Sequence, residues 1–127
     1  MSTPDPAAVV ATFVAAIERR DVSAALELLS PDVEYDNVPM GKVRGPDAVG
    51  QILGPMLEGC TAVEWPVVRQ AVAGTTVFNE RIDRFLMGET WIELPVAGVW
   101  EVVDGHITLW RDYFDEPTYR NQLPKNG

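Results

Sequence analysis

The hydrophobic periodicity of this chain changes character once, near residue 62, and that change restricts its fold more than any other feature. Before it, apolar residues recur mainly at helical spacing. After it, β-branched and aromatic residues fill segments separated by Gly74, Gly88, Pro95 and Asp104-Gly105. A run of helices followed by a run of mostly antiparallel strands predicts an α+β domain with helices on one sheet face. A chain of 127 residues supports one core, so residues 1–127 read as a single domain, and an apolar fraction of 46% is enough to fill it.

Local signals divide the two regions further. Asp5 followed by Pro6 starts a helix running to about Arg20, with Val9, Phe13 and Ile17 spaced by four and flanked by Val10 and Val14. Asp21 caps a second short helix through Leu29, which Ser30-Pro31 ends. Val33 to Val38 reads as a first strand and is followed by a turn region to Gly45. A third helix spans Pro46 to Leu57, weakened by Gly50 and Gly54, and Pro55 predicts a kink or an early end. Strands are expected at Ala62 to Val72, Thr75 to Met87, Thr90 to Leu94, Ala97 to Val103 and His106 to Phe114. Asp104-Gly105 is the strongest hairpin signal, and Asp115-Glu116-Pro117 opens a short terminal helix.

Charge and residue inventory exclude several functions. Ten basic against 19 acidic residues give a net charge of −9, which repels phosphate backbones and anionic lipid, so neither nucleic acid nor membrane is an expected partner. No apolar run approaches the roughly 20 residues a membrane span needs, and without a basic cluster in Met1 to Pro6 no secretory signal is expected. Cys60, the single cysteine, has no partner for a disulfide or thiol motif, so a cytoplasmic location is expected. With one histidine, His106, no ligand cluster and no phosphate loop, neither a metal nor an organic cofactor is predicted.

The informative residues are polar ones on faces that ought to be apolar. Strand alternation groups Val33, Tyr35 and Asn37; Val77, Asn79, Arg81, Asp83 and Phe85; and Trp110, Asp112 and Phe114. If the helices cover these faces, a pocket floor contains Tyr35, Asn37, Arg81, Asp83 and Asp112. Alternate residues on a strand lie roughly 6.5 to 7 Å apart on one side, so Arg81 can support Asp83 and still reach a carboxylate on a neighbouring strand. Burial raises a carboxyl pKa and arginine lowers it, which can separate two aspartates into a base and an acid. The competing reading of Arg81 and Asp83 is a solvated salt-bridge ladder, the commoner arrangement of such residues on strands. Tyr35 alone could be a rim residue and Asn37 turn chemistry. His106 is expected to be exposed, Cys60 an apolar filler, and Trp65, Trp91, Trp100 and Trp110 core or dimer-interface residues.

At these positions the chain resembles the limonene-1,2-epoxide hydrolase family, within the wider nuclear transport factor 2-like (SnoaL-like) superfamily. The resemblance rests on Val33-Glu34-Tyr35-Asp36-Asn37-Val38-Pro39, Asn79-Glu80-Arg81-Ile82-Asp83 and Leu109-Trp110-Arg111-Asp112-Tyr113-Phe114-Asp115, in the family's order and approximate spacing, and covers nearly the whole chain. It implies a strongly curved mixed β-sheet whose concave face carries the N-terminal helices and a deep apolar pocket, the cone-shaped, cystatin-like arrangement. It also implies one-step addition of water to a lipophilic epoxide of terpene, steroid or fatty-acid type. Asp112 would be the general base, Asp83 the general acid, Arg81 the bridge between them, and Tyr35 and Asn37 the holders of the water. Val14, Ile17, Met56, Phe85, Trp110 and Phe114 are candidates for the substrate pocket, and a homodimer is expected. The alternatives are an isomerase or polyketide cyclase on the same scaffold, or a non-catalytic dimeric binding module.

Overall fold

The computed structural model describes residues 4–124. Asp5 accepts from the Ala7 N–H and starts helix α1, Pro6–Glu18; Asp21 does the same for the Ala24 N–H at α2, Val22–Glu27. Strand β1, Leu29–Asn37, pairs with β2, Gly41–Arg44, before helix α3, Pro46–Glu58. Five strands follow: β3 at Ala62–Glu64, β4 at Val67–Ala73, β5 at Thr76–Met87, β6 at Thr90–Val103 and β7 at His106–Tyr113. Helix α4, Glu116–Arg120, is capped by Asp115.

The sheet order is β2-β1-β7-β6-β5-β3, with β4 also paired to β5. Only β1 and β7 run parallel, so the sheet is mixed, as expected. Strands β3 and β4 both pair along β5, one at Leu86 to Arg84 and the other at Arg81 to Thr76. The change between them at Trp65-Pro66 lets the end of the sheet curl.

Several boundaries differ from the sequence expectation, each for a local reason. The second helix stops at Glu27, because β1 starts at Leu29 and carries Ser30-Pro31 within a register shift against β7. The stretch expected as a turn contains β2. Pro55 does not end α3, which continues to Glu58 with Leu53 and Leu57 buried on either side of it. The expected strand Ala62 to Val72 is two strands divided at Pro66. Conversely, Pro95 does not divide β6. It lies opposite Ile82, whose N–H bonds the Pro66 carbonyl on the far side, and β7 pairs with β6 only from Ala97 onward. The nitrogen without a proton therefore faces no ladder partner.

Helix α1 lies across the sheet and buries Val10, Phe13 and Ile17. Phe13 stands edge-on to Trp100 and Trp110, with centroids at 5.5 and 5.0 Å, and the two indoles stack on each other at 5.3 Å. Trp65, Trp100 and Trp110 are core residues. Trp91 is half-buried, with the Arg84 guanidinium 4.2 Å above its ring. His106 is exposed and Cys60 buried. No helix among the described residues is long and apolar enough to cross a membrane.

Because Phe13 has no exposure and no substitute packing against two indoles, Phe13→Ala is expected to cost about 3 to 5 kcal/mol of stability in equilibrium urea unfolding, without changing the secondary structure content at low denaturant.

Candidate active site

The side chain that organises the polar cluster is Arg81, on β5. It has no exposure to solvent, and Asp83, Asn79 and Asp112 around it are each less than 5% exposed. Its Nε and Nη2 donate to the two Asp83 oxygens at 2.9 and 3.0 Å, in a two-pronged pairing that alternation on one strand makes available. Nη2 also donates to Asp112 Oδ2 at 3.1 Å, and Nη1 donates to Asn79 Oδ1 at 2.9 Å. The guanidinium carbon lies over the Trp65 and Trp100 rings, 5.1 and 5.5 Å from their centroids. The solvated ladder does exist, but on the opposite face of β5, where Arg84 pairs with Glu64 and Glu93 and Glu80 with Arg69.

Arg81 and Asp112 sit on strands separated by β6, and the sheet register shows how the gap is crossed. Asn79 is opposite Gly98, Gly98 opposite Asp112, and Asp112 opposite Asn37, a row across four strands. A Cβ at position 98 would stand 2.4 Å from Arg81 Nη1 and 2.8 Å from Asn79 Oδ1. Glycine in the middle of β6 therefore provides the space the guanidinium occupies. The parallel pairing of β1 with β7 brings Asn37 beside Asp112 and stacks Tyr35 on Trp110 at 3.9 Å.

This cluster forms the polar end of an apolar cavity of about 190 Å³. Tyr35, Asn37, Asp83 and Asp112 line it, together with Trp65, Phe85, Leu94, Val96 and Phe114 from the sheet side and Ile52 and Met56 from α3. Met40 and Tyr119 complete the wall. Of the six residues expected to line a substrate pocket, Met56, Phe85 and Phe114 line this cavity. Val14, Ile17 and Trp110 do not: α1 packs directly onto the sheet, so these three are spent in the core behind the cavity. Among the described residues, no three His, Cys, Asp or Glu side chains converge as metal ligands.

Electrostatics follow from burial. Desolvation pushes the Asp112 carboxyl up to about 6, against a downward pull from Arg81 and with a further upward push from Asp83. Desolvation raises Asp83 too, opposed by its contacts with Arg81. The Tyr35 hydroxyl is driven far above its usual value by burial first and by the Asp112 charge second, while the Asn37 side chain acts the other way. Burial alone would lower the Arg81 pKa, but the two carboxylates outweigh it and the guanidinium stays charged. One guanidinium and two carboxyls are neutral when the pair holds a single proton, the state a low-dielectric site favours. Asp112 Oδ1 is buried with no hydrogen-bond partner, and so is Trp110 Nε1, which nonetheless faces Asp112 closely enough to lower its pKa.

Residues 4–125 match the profile of the limonene-1,2-epoxide hydrolase catalytic domain. The chain belongs to the limonene-1,2-epoxide hydrolase family. It is 36% identical to epoxide hydrolase EphG of Mycobacterium tuberculosis over 106 residues, 84% of this chain and 70% of that protein. A solved structure of an M. tuberculosis LEH-like epoxide hydrolase superposes with a TM-score of 0.83 at 33% identity, covering 95% of this chain and 90% of the other. A putative polyketide cyclase from Xanthomonas campestris pv. campestris superposes with a TM-score of 0.82 at 21% identity, covering 94% and 96% of the two chains. At that identity the last match shows the shared NTF2-like fold alone. Within this limonene-1,2-epoxide hydrolase fold, sequence reasoning grouped Asn79 with Arg81 but gave it no task, and it overlooked Gly98. A glycine inside a strand of large apolar residues was the available signal of close approach. Leu94 and Val96, also on the cavity wall, flank Pro95 in the one strand that the sequence pattern divides there.

The folded protein holds the Asp112 proton more tightly than the unfolded chain does, since about 6 lies above the ordinary 3.8. The stability this contributes is present below about pH 4 and is lost as pH rises through about 6. Asp112→Asn, which cannot ionise, is therefore expected to be about 1 to 3 kcal/mol more stable than the parent at pH 8, with the gain shrinking toward pH 4, as read from denaturant melts at both values.

Proposed function

We propose that this chain hydrolyses a small lipophilic epoxide to a vicinal diol by one-step general acid and base catalysis, with Asp112 as base and Asp83 as acid. The observation that carries this reading is the buried Asp83-Arg81-Asp112 chain at the polar end of an apolar cavity. Membership of the family and 36% identity to a protein named as an epoxide hydrolase support it.

The proposed chemistry uses each group once. Tyr35 and Asn37 hold a water beside Asp112, whose unpartnered Oδ1 takes a proton from it as the oxygen attacks an epoxide carbon. Asp83, carrying the shared proton, donates it to the ring oxygen as the C–O bond breaks, so no free alkoxide forms. Each Asp83 oxygen keeps a second lone pair beside its bond from Arg81, so protonation there leaves the bridge intact. At the end Asp112 holds the proton and Asp83 is ionised. Return of one proton through Arg81-linked groups or water restores the starting state. The apolar walls suit a terpene, steroid or fatty-acid type of epoxide.

We further propose that the chain works as a homodimer. Val67, Val68 and Val72 on β4 and Phe78 on β5 are exposed apolar residues at that end of the sheet, available to a second copy. A monomer in sedimentation at micromolar concentration would remove that part of the reading.

Turnover of a panel of lipophilic epoxides in ¹⁸O-labelled water is expected to place one labelled oxygen in the diol. An isomerised, unlabelled product would replace hydrolysis with the proton-transfer chemistry of an isomerase or cyclase. Asp83→Asn and Asp112→Asn are each expected to lower turnover by roughly two to four powers of ten while remaining folded. Near-parental rates in both would sink the mechanism. Activity of the parent is expected to fall below about pH 6 as Asp112 protonates, and at higher pH as Asp83 loses its proton.

A further inference from the structure

We infer that Asn79 is a positioning residue for the Arg81 bridge: it anchors the guanidinium from the side away from both aspartates, and so sets how strongly Arg81 acts on Asp112. The inference rests on the proposed roles of Arg81 and the two aspartates and assigns a further residue to them.

Asn79 is 4% exposed and its Oδ1 accepts two bonds, from Arg81 Nη1 at 2.9 Å and from Trp100 Nε1 at 3.1 Å. Two N–H donors aimed at one atom fix the amide orientation, because its nitrogen in that place would meet both donors. The amide nitrogen in turn donates to Gln70 Oε1 on β4 at 3.5 Å. The Arg81 side chain is thus held at both ends, by Asp83 and Asp112 at one and by Asn79 at the other. Trp100, whose ring lies under the guanidinium carbon, shares the same acceptor.

The consequence is electrostatic as well as steric. A neutral acceptor at position 79 orients Arg81 without competing for its charge, whereas a carboxylate there would draw the guanidinium toward itself. Asp112 is faced by Arg81 and Asp83 from β5 and by Tyr35 from β1, with Trp110 beside it on its own strand. With a third carboxylate on Arg81, neutrality of the cluster needs two shared protons instead of one, and Asp112 retains its proton to higher pH.

Asn79→Asp keeps the shape and the two hydrogen bonds that Oδ1 accepts, adds a charge and gives up the long donation to Gln70. Titration of Asp112 by ¹³C carboxyl NMR is expected to move up by about one pH unit or more in this variant, and the acid limb of kcat/KM to move with it, at little change in KM. An unmoved Asp112 titration in folded Asn79→Asp would overturn the inference. Should that variant not fold, Asn79→Ser, whose hydroxyl falls short of Arg81, is expected to raise the Asp112 titration by loosening the bridge and to lower kcat at similar KM. An unaltered titration and kcat would again overturn it. The NMR titration needs no substrate. A shifted Asp112 in a protein that opens no epoxide removes the proposed activity and keeps the positioning role, and turnover with an unmoved titration does the reverse.

Discussion

A guanidinium withdrawn entirely from water must be neutralised, bonded and covered, and most of this protein's unusual features meet that requirement at Arg81. Asp83 and Asp112 supply the charge, Asn79 the remaining acceptor, and Trp65 and Trp100 aromatic cover. Gly98 supplies the space that lets the side chain pass over β6 to reach β7. Removing Asp83 or Asn79 leaves a donor of the buried guanidinium unmatched, whereas the second carboxylate at Asp112 exceeds what one guanidinium neutralises.

The fold places that cluster at the end of a cavity rather than in a sealed core. Helix α1 fills the region over Trp100 and Trp110, which blocks one part of the concave face. Helix α3 stands farther along with Ile52 and Met56 and leaves the space between open. The curl at Trp65-Pro66 turns Trp65 inward over Arg81. The Trp65 backbone N–H donates to Glu18 Oε2 at 2.8 Å, tying the last turn of α1 to this corner. A helix end, a strand break and the guanidinium are therefore mechanically linked, although none is adjacent to another in sequence.

Burial that raises both aspartates also sets them against the stability of the fold. Two carboxyls share one arginine in a low-dielectric site, and the single proton that makes the group neutral is the one the proposed acid–base reaction moves. Ordinary ion pairs in this chain are kept outside: Arg111 bonds Asp36 and Glu34 on the opposite face of β1 and β7, where water shares the charge.

The sequence by itself determined the class of fold, both leading helices to within about two residues, the Asp104-Gly105 hairpin and which residues share a strand face: Tyr35 with Asn37, Arg81 with Asp83, and Asp112 with Trp110. These depend on capping residues, periodicity and alternation, which act over a few neighbours. Proline misled in both directions, because whether Pro31, Pro55 or Pro95 breaks an element depends on what its missing N–H would have faced, and that is a property of the neighbouring strand or turn. Likewise, strand alternation puts Arg81 and Asp83 on one face but does not say whether that face is wet. Tertiary structure alone decided it, by laying α1 and the indoles over one side of β5 and leaving the Arg84 ladder on the other. It also decided that Val14, Ile17 and Trp110 close the core while Leu94, Val96 and Tyr119 line the cavity, because the position of a wall is set by how helices cross a curved sheet, a long-range packing outcome that no local pattern encodes.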